Sequence, residues 1–159
     1  MGPIYSLDAN VLIFLGRNMP MDVYPGVWEQ LEQLVADGRA VMPRDVFEEL
    51  TRADDDCLAW AKAQAGLVDE PDTPHVLLVQ EITGAHIGWV RGRENAGDPW
   101  LVAHAQIGGY VIVTNEHRRG ANVSNRKLTI PNVADNYGVE CLSFNDLARE
   151  EGWVFVRTS

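Results

Sequence analysis

The sequence predicts an α/β fold: a mostly parallel central sheet covered by helices on both faces, in three layers. Two observations predict it. Short apolar runs alternate along the chain with stretches whose apolar residues recur at helical spacing, the signature of repeated strand–helix–strand units. The chain, at 159 residues with 46% hydrophobic and 23% charged residues, can bury one substantial core, and no repeat, low-complexity tract or long linker divides it, so residues 1–159 read as a single domain.

The elements follow in order. Ile4-Tyr5-Ser6-Leu7 is a short strand leading into Asp8. Asn10 to Leu15 starts a helix with Val11, Leu12 and Leu15 on one face, and Gly16 to Pro25 is a loop. Val27, Trp28, Leu31, Leu34 and Val35 repeat at helical spacing until Gly38. Ala40 to Pro43 is a buried strand. Asp45 is placed to cap the next helix, with Glu48 as its reciprocal partner. Cys57 to Ala65 is an alanine-rich helix, and the acids Asp54, Asp55 and Asp56 suit its positive N-terminal end. Pro71 to Pro74 breaks the chain, Val76 to Ile87 is helical, and Gly92 to Gly97 is a loop. Asp98-Pro99-Trp100 opens a helix through Gln106, with Asp98 as N-cap and Pro99 at the first helical position. Tyr110 to Val113 is the clearest strand and ends at Thr114-Asn115-Glu116. Residues 117–131 read as a basic loop, Val139 to Leu142 as a strand, Asn145 to Glu150 as a short helix and Trp153 to Val156 as a closing strand.

The formal net charge of -10 argues against a surface that grips nucleic acid all over. The distribution is uneven: residues 1–90 hold fifteen acids against five bases, and residues 91–127 hold six bases against three acids. That basic segment is either a solvated face or a phosphate-binding patch. Cys57 and Cys141 form no metal-type pair and read as free buried thiols of a reducing compartment. The first residues carry no secretory signal pattern and no apolar run approaches the roughly 20 residues of a membrane span, so a cytoplasmic protein without a membrane partner is expected.

In parallel α/β sheets ligands bind at the carboxyl ends of the strands. Asp8 and Glu116 each follow an apolar strand, and Asp98 starts a helix entered from the same edge. Acids crowded there repel and need protons or a cation. Oxygen ligands without a Cys or His cluster point to Mg²⁺ or Mn²⁺, whose bound water can attack a phosphodiester.

Four runs carry a resemblance to a known family: Tyr5-Ser6-Leu7-Asp8-Ala9-Asn10-Val11-Leu12-Ile13, Val46-Phe47-Glu48-Glu49-Leu50, Gly97-Asp98-Pro99-Trp100-Leu101-Val102-Ala103-His104-Ala105 and Val111-Ile112-Val113-Thr114-Asn115-Glu116. In order and spacing they resemble a PIN domain, and Leu128-Thr129-Ile130-Pro131-Asn132-Val133 is similar to the Ile-Pro signature of a PIN-like branch of the DUF4411 type. The resemblance implies a metal-dependent ribonuclease, commonly the toxin of a type II toxin–antitoxin pair. It implies an antitoxin partner that blocks the site and, since such proteins often self-associate, a homodimer. Carried over by position, Asp8, Glu49, Asp98 and Glu116 are the four acids, with Glu48 competing for the second place. Glu116 stands where most members have Asp. His117, Arg118, Arg119 and Gly120 stand where many members have a further acid, which leaves one or two metal ions open. Asn10 and Thr114 resemble residues that hold the acids by hydrogen bonds. Arg118, Arg119, Arg126 and Lys127 would track the RNA backbone.

Each residue has a plainer reading. Asp8 and Asp98 can be helix caps, Glu49 part of a solvated face and Glu116 a loop acid. His104, one turn from Trp100, reads as a packed core histidine, and His117 as either a substrate contact or an idle loop residue. Trp28, Trp60, Trp100 and Trp153 read as core, leaving Trp89, near Arg91 and Arg93, as the one tryptophan open to base stacking. A non-catalytic PIN-fold module that holds RNA or a partner protein is the alternative function. An aspartate-nucleophile phosphatase fits less well, because Asn10 stands where its second Asp belongs.

Overall fold

The computed structural model describes residues 2–53 and 55–157, apart from the side chain of Asp55. Its sheet is parallel throughout. Strand β1 (Tyr5–Leu7) lies at the centre, β2 (Ala40–Pro43) and β3 (Val68–Asp69) lie to one side, and β4 (Val111–Val113) and β5 (Cys141–Leu142) to the other, in the order β3-β2-β1-β4-β5. Tyr5 pairs with Ala40 on one side and with Val111 on the other. The chain winds outward from β1 in one direction through β2 and β3, then restarts on the opposite side with β4. The reversal lies between β1 and β4, the place where doubly wound sheets bind ligands.

Eight helices surround the sheet among the described residues. Alternate residues of β1 show the layering. Tyr5 points to the face where α2 (Pro25–Ala36) and α8 (Phe144–Glu150) lie, and its hydroxyl donates to Glu151 at 2.6 Å. Ser6 points to the other face and meets His104 of α6 (Asp98–Gly108) at 2.8 Å. Helix α6 packs on β1, β2 and β4 and is flanked by α5 (Thr73–Ala85) and α7 (Ile130–Asn136). This is the expected three-layer arrangement. Among the described residues no helix is long and apolar enough to cross a membrane.

Several boundaries differ from the expected ones. Helix α1 (Ala9–Asn18) runs through Gly16, because that glycine is a packing position: a Cβ on it would press on the sulfur of Cys57 in α4 (Asp55–Ala63). Helix α3 (Arg44–Ala53) grows directly out of β2, so Asp45 lies in its first turn and is not its cap. The acidic run before Cys57 includes Asp54, which lies outside the described residues. Pro74 stands in the first turn of α5 and opens that helix, which Asp72 and His75 cap reciprocally. Gly97 is the N-cap of α6, so Asp98 is its first residue and Pro99 its second. The loop expected to reach residue 131 ends earlier: Thr129 and Asn132 form a capping box that starts α7 at Ile130. Trp153 to Val156 forms no strand. Trp153 stacks against Phe144 and Phe155 instead, which leaves Val154 and Val156 exposed without sheet partners. Cys57 is buried, whereas Cys141 is only half-buried.

Candidate functional site

The four acids arrive from four elements. Asp8 follows β1 and caps α1, accepting from Asn10 N at 3.5 Å, so its helix-capping role and its site role coexist. Its other oxygen accepts from the Thr114 hydroxyl at 2.8 Å. That hydroxyl also receives the Glu116 backbone N–H at 3.2 Å, so one side chain ties the ends of β1 and β4 together. Asn10 braces the same junction: its Oδ1 accepts from Asn115 N at 3.2 Å, and its carbonyl from Asn115 Nδ2 at 3.3 Å. Thr114 thus bonds an acid directly, whereas the Asn10 side chain bonds Asn115 and reaches no acid; only its backbone N–H meets Asp8. Asn115, whose side chain completes the brace, was missed, although it stands between two residues that were singled out.

Asp98 is buried at the start of α6, where the helix dipole favours a negative charge. Glu49 comes from α3, and its Oε1 fills the space that a Cβ on Gly97 would need. A side chain at position 97 would displace the α3 carboxylate from where it lies against the start of α6. The two adjacent glutamates differ in placement: Glu49 is half-buried and within electrostatic range of Asp8 and Glu116, and Glu48 is exposed. Glu116 accepts from Ile130 N, at the start of α7, at 3.3 Å.

Burial and mutual repulsion act on these carboxylates together. Burial pushes Asp8 above the ordinary carboxylate range, against the pull of Thr114 and the backbone N–H groups of Asn10 and Ala9. Asp98 lies well above it, first through burial and then through the charges of Asp8, Glu116 and Glu49. Glu49 rises to about 7, through burial and then Asp8. Glu116 rises to about 7 for the same two reasons, with Ile130 N and Arg119 opposing. Four buried acids, three of them raised further by the charge of the others, form a site short of positive charge. Their donor set, carboxylate oxygen without thiolate or imidazole, fits a hard divalent cation. Among the described residues no three His, Cys, Asp or Glu side chains stand together at metal-ligating spacing.

The basic residues divide. Arg118 is held by Asp135 through two hydrogen bonds of 2.7 and 2.8 Å. Arg119 is exposed, has no ion pair among the described residues, and acts on Glu116. Arg126 and Lys127 lie exposed in a single 3-10 turn, Asn125–Lys127, with no bond to the acids among the described residues. Trp89 is the reverse of what was expected: it is fully buried, and its indole N–H donates to the Leu128 carbonyl at 3.0 Å, which makes it an anchor for the basic loop.

His104 is buried as expected, in a network no short-range pattern reveals. Its Nδ1 lies 2.8 Å from Ser6 Oγ and its Nε2 lies 2.9 Å from Asp69 Oδ2. A carboxylate only accepts, so Nε2 carries the proton and Nδ1 accepts from Ser6. Burial holds the ring below the usual histidine range, against the pull of Asp69. The order Ser–His–Asp is that of a hydrolase triad, but Ser6 is fully buried within the sheet and no substrate reaches it.

A family model for a domain of unknown function, DUF4411, matches residues 5–155. The chain belongs to the DUF4411 family. The match spans all five strands and all four acids. No curated protein matches the chain.

Proposed function

We propose that this DUF4411 domain is a metal-dependent endoribonuclease. The observation that carries the reading is the convergence of Asp8, Glu49, Asp98 and Glu116 at the β1/β4 switch point, all four raised by burial and the last three also by the charge of the other acids. The resemblance of the surrounding runs to PIN domains supports it. These four side chains would hold Mg²⁺ or Mn²⁺, directly or through water. Bound there, such an ion supplies a water of lowered pKa and offsets charge on the scissile phosphate.

The chain's own groups do the rest. Thr114 fixes the orientation of Asp8 and the backbone of Glu116 with one hydroxyl. Ile130 N orients Glu116 from the opposite side. Arg119 brings a positive charge to the rim, where it offsets the repulsion between a carboxylate site and an incoming phosphate. Arg126 and Lys127 extend that charge along the backbone of the RNA.

A toxin of a type II pair is the biological setting the resemblance favours. Its antitoxin would silence the site by inserting an Arg or Lys among the acids, and a homodimer fits the same setting. The test is incubation of pure protein with a mixed RNA pool and Mg²⁺ or Mn²⁺, followed by mapping of the cut ends. Cleavage should stop with EDTA and with Asp8→Asn. Full cleavage by an Asp8→Asn protein free of contaminating nuclease would overturn the mechanism. Metal binding without cleavage of any RNA would favour the binding-module reading, for which the sequence His117-Arg118-Arg119-Gly120, without a further acid, leaves room, although the presence of all four acids speaks against it.

A further inference from the structure

A cavity of about 350 Å³ adjoins the acidic cluster and belongs to none of the chemistry above. Asn115 and His117, the neighbours of Glu116 in the chain, both line it, so it begins one residue from a proposed metal ligand. Its apolar lining comes from Phe14, Met19 and Phe144, and the remainder is uncharged polar side chains together with His117. A second cavity of about 200 Å³ shares His117 and Ser143 with it but is lined by Glu116, Arg118 and Asp146. Formal charge therefore lies on one side of the His117–Ser143 boundary and is nearly absent on the other. A phosphate belongs with cations; a flat, uncharged ring belongs in the first cavity, whose volume lies at the small end of the range for organic ligands.

The polar groups there are unspent in a useful way. The backbone N–H and side-chain NH₂ of Asn115 are taken by Asn10, which leaves its Oδ1 to accept. Ser143 Oγ accepts from Asp146 N at 3.1 Å and keeps its own proton to donate. Asn145 is exposed, and its amide makes no hydrogen bond among the described residues, so it offers both a donor and an acceptor. Phe14 is 47% exposed, on a helix whose other apolar residues face the core.

We propose that this cavity is a nucleobase subsite, which takes the base next to the scissile phosphate against Phe14 and reads its edge with Asn115, Ser143 and Asn145. The inference rests on the nuclease reading for its substrate, but not for its test. The full-length wild-type protein, without metal, is titrated with the four uncharged ribonucleosides and followed by NMR. At least one nucleoside should saturably shift the Asn115 and Asn145 side-chain amides and the Phe14 ring, and ribose 5-phosphate should not. Phe14→Ala should weaken that binding by about fivefold or more, as loss of one base–aromatic stack does. Asn145→Ala should change which nucleoside binds best. If no nucleoside shifts these groups, or if Phe14→Ala and Asn145→Ala both bind as the wild type does, the subsite does not exist. Nucleoside binding by a protein that cuts no RNA would keep the subsite and remove the nuclease; cleavage without nucleoside binding would do the reverse.

Discussion

Strand β1 and helix α6 each contribute to two buried polar networks, and the two have opposite character. Ser6 and His104 form one with Asp69; Asp8 and Asp98 form the other with Glu49 and Glu116. In the first, each donor has an acceptor, and the histidine stays neutral because burial holds its pKa down. It needs nothing from outside. In the second, four carboxylates share the Thr114 hydroxyl, a few backbone N–H groups and two nearby cations, Arg119 beside Glu116 and Arg52 beside Glu49. Burying charge is costly unless it is paired, and here the pairing is incomplete. The same two elements thus build a finished joint and an unfinished one. On the proposed reading, the unfinished one is where an ion and a phosphate would act.

The largest effect should come from neutralising the unfinished network. Asp8→Asn should lower RNA cleavage about a thousandfold or more, since several kcal/mol of charge stabilisation depend on the ligand set. The same substitution should raise thermal stability in EDTA at pH 8, because it removes one of four repelling charges. A variant that loses activity and stability together would show that Asp8 is structural. His104→Ala makes the opposite case. It leaves Ser6 and Asp69 unpartnered and opens a cavity, so it should cost about 2–4 kcal/mol in denaturant unfolding. Metal affinity, measured by calorimetry below the unfolding transition, should stay near the wild-type value. A large loss of metal affinity would mean that the two networks are one.

The pH dependence separates them further. The four acids have folded pKa values above their unfolded ones, so the folded state holds extra protons from about pH 4 up to about 7, where Glu49 and Glu116 titrate. Their contribution is fully present below the unfolded values and is lost as pH rises through the folded ones. His104, lowered in the fold, contributes in the other direction: its share is present above the unfolded value, about 6.5, and is lost as pH falls. On the proposed reading a divalent cation would replace the lost protons. At pH 8, Mg²⁺ or Mn²⁺ at about 100 times Kd should raise Tm by roughly 5–10 °C, and at pH 5 by much less. Equal shifts at both pH values would place the ion away from these carboxylates.

The unequal legibility of the molecule has the same root. Apolar runs ending in an acid are local patterns, so β1, β4 and the edge that gathers Asp8, Asp98 and Glu116 could be read directly. The unequal burial of Glu49 and Glu48 also follows a local pattern: Val46, Phe47 and Leu50 form the buried face of α3, Glu49 lies three residues after Val46 on the edge of that face, and Glu48 lies opposite. Strand β3, two residues long, is too short to show any period. Trp153 to Val156 has strand composition, but composition cannot supply a neighbouring strand. The burial of Trp89 depends on a carbonyl 39 residues away, and the His104 network on a serine 98 residues away. Such pairings are made by the fold, and no window of sequence contains them.

The smallest effect tests what each network leaves free at the surface. Arg118 and Arg119 are adjacent and equally charged, and by sequence they are equal candidates for RNA. Asp135 takes two donors of Arg118, whereas Arg119 has no ion pair among the described residues and directs its field at Glu116. In RNA binding measured over a range of salt with the Asp8→Asn protein, Arg119→Ala should reduce the slope of log K against log salt by about 0.7, the value for one lost contact to a single strand. Arg118→Ala should change that slope less and appear instead as a stability loss of up to about 1 kcal/mol, the worth of an exposed pair. If the two variants shift the slope equally, RNA displaces Asp135 and takes both guanidinium groups, and the track of the backbone runs past α7. If only Arg119 matters, the phosphate approaches from the rim beside Glu116, between the charged cavity and the uncharged one.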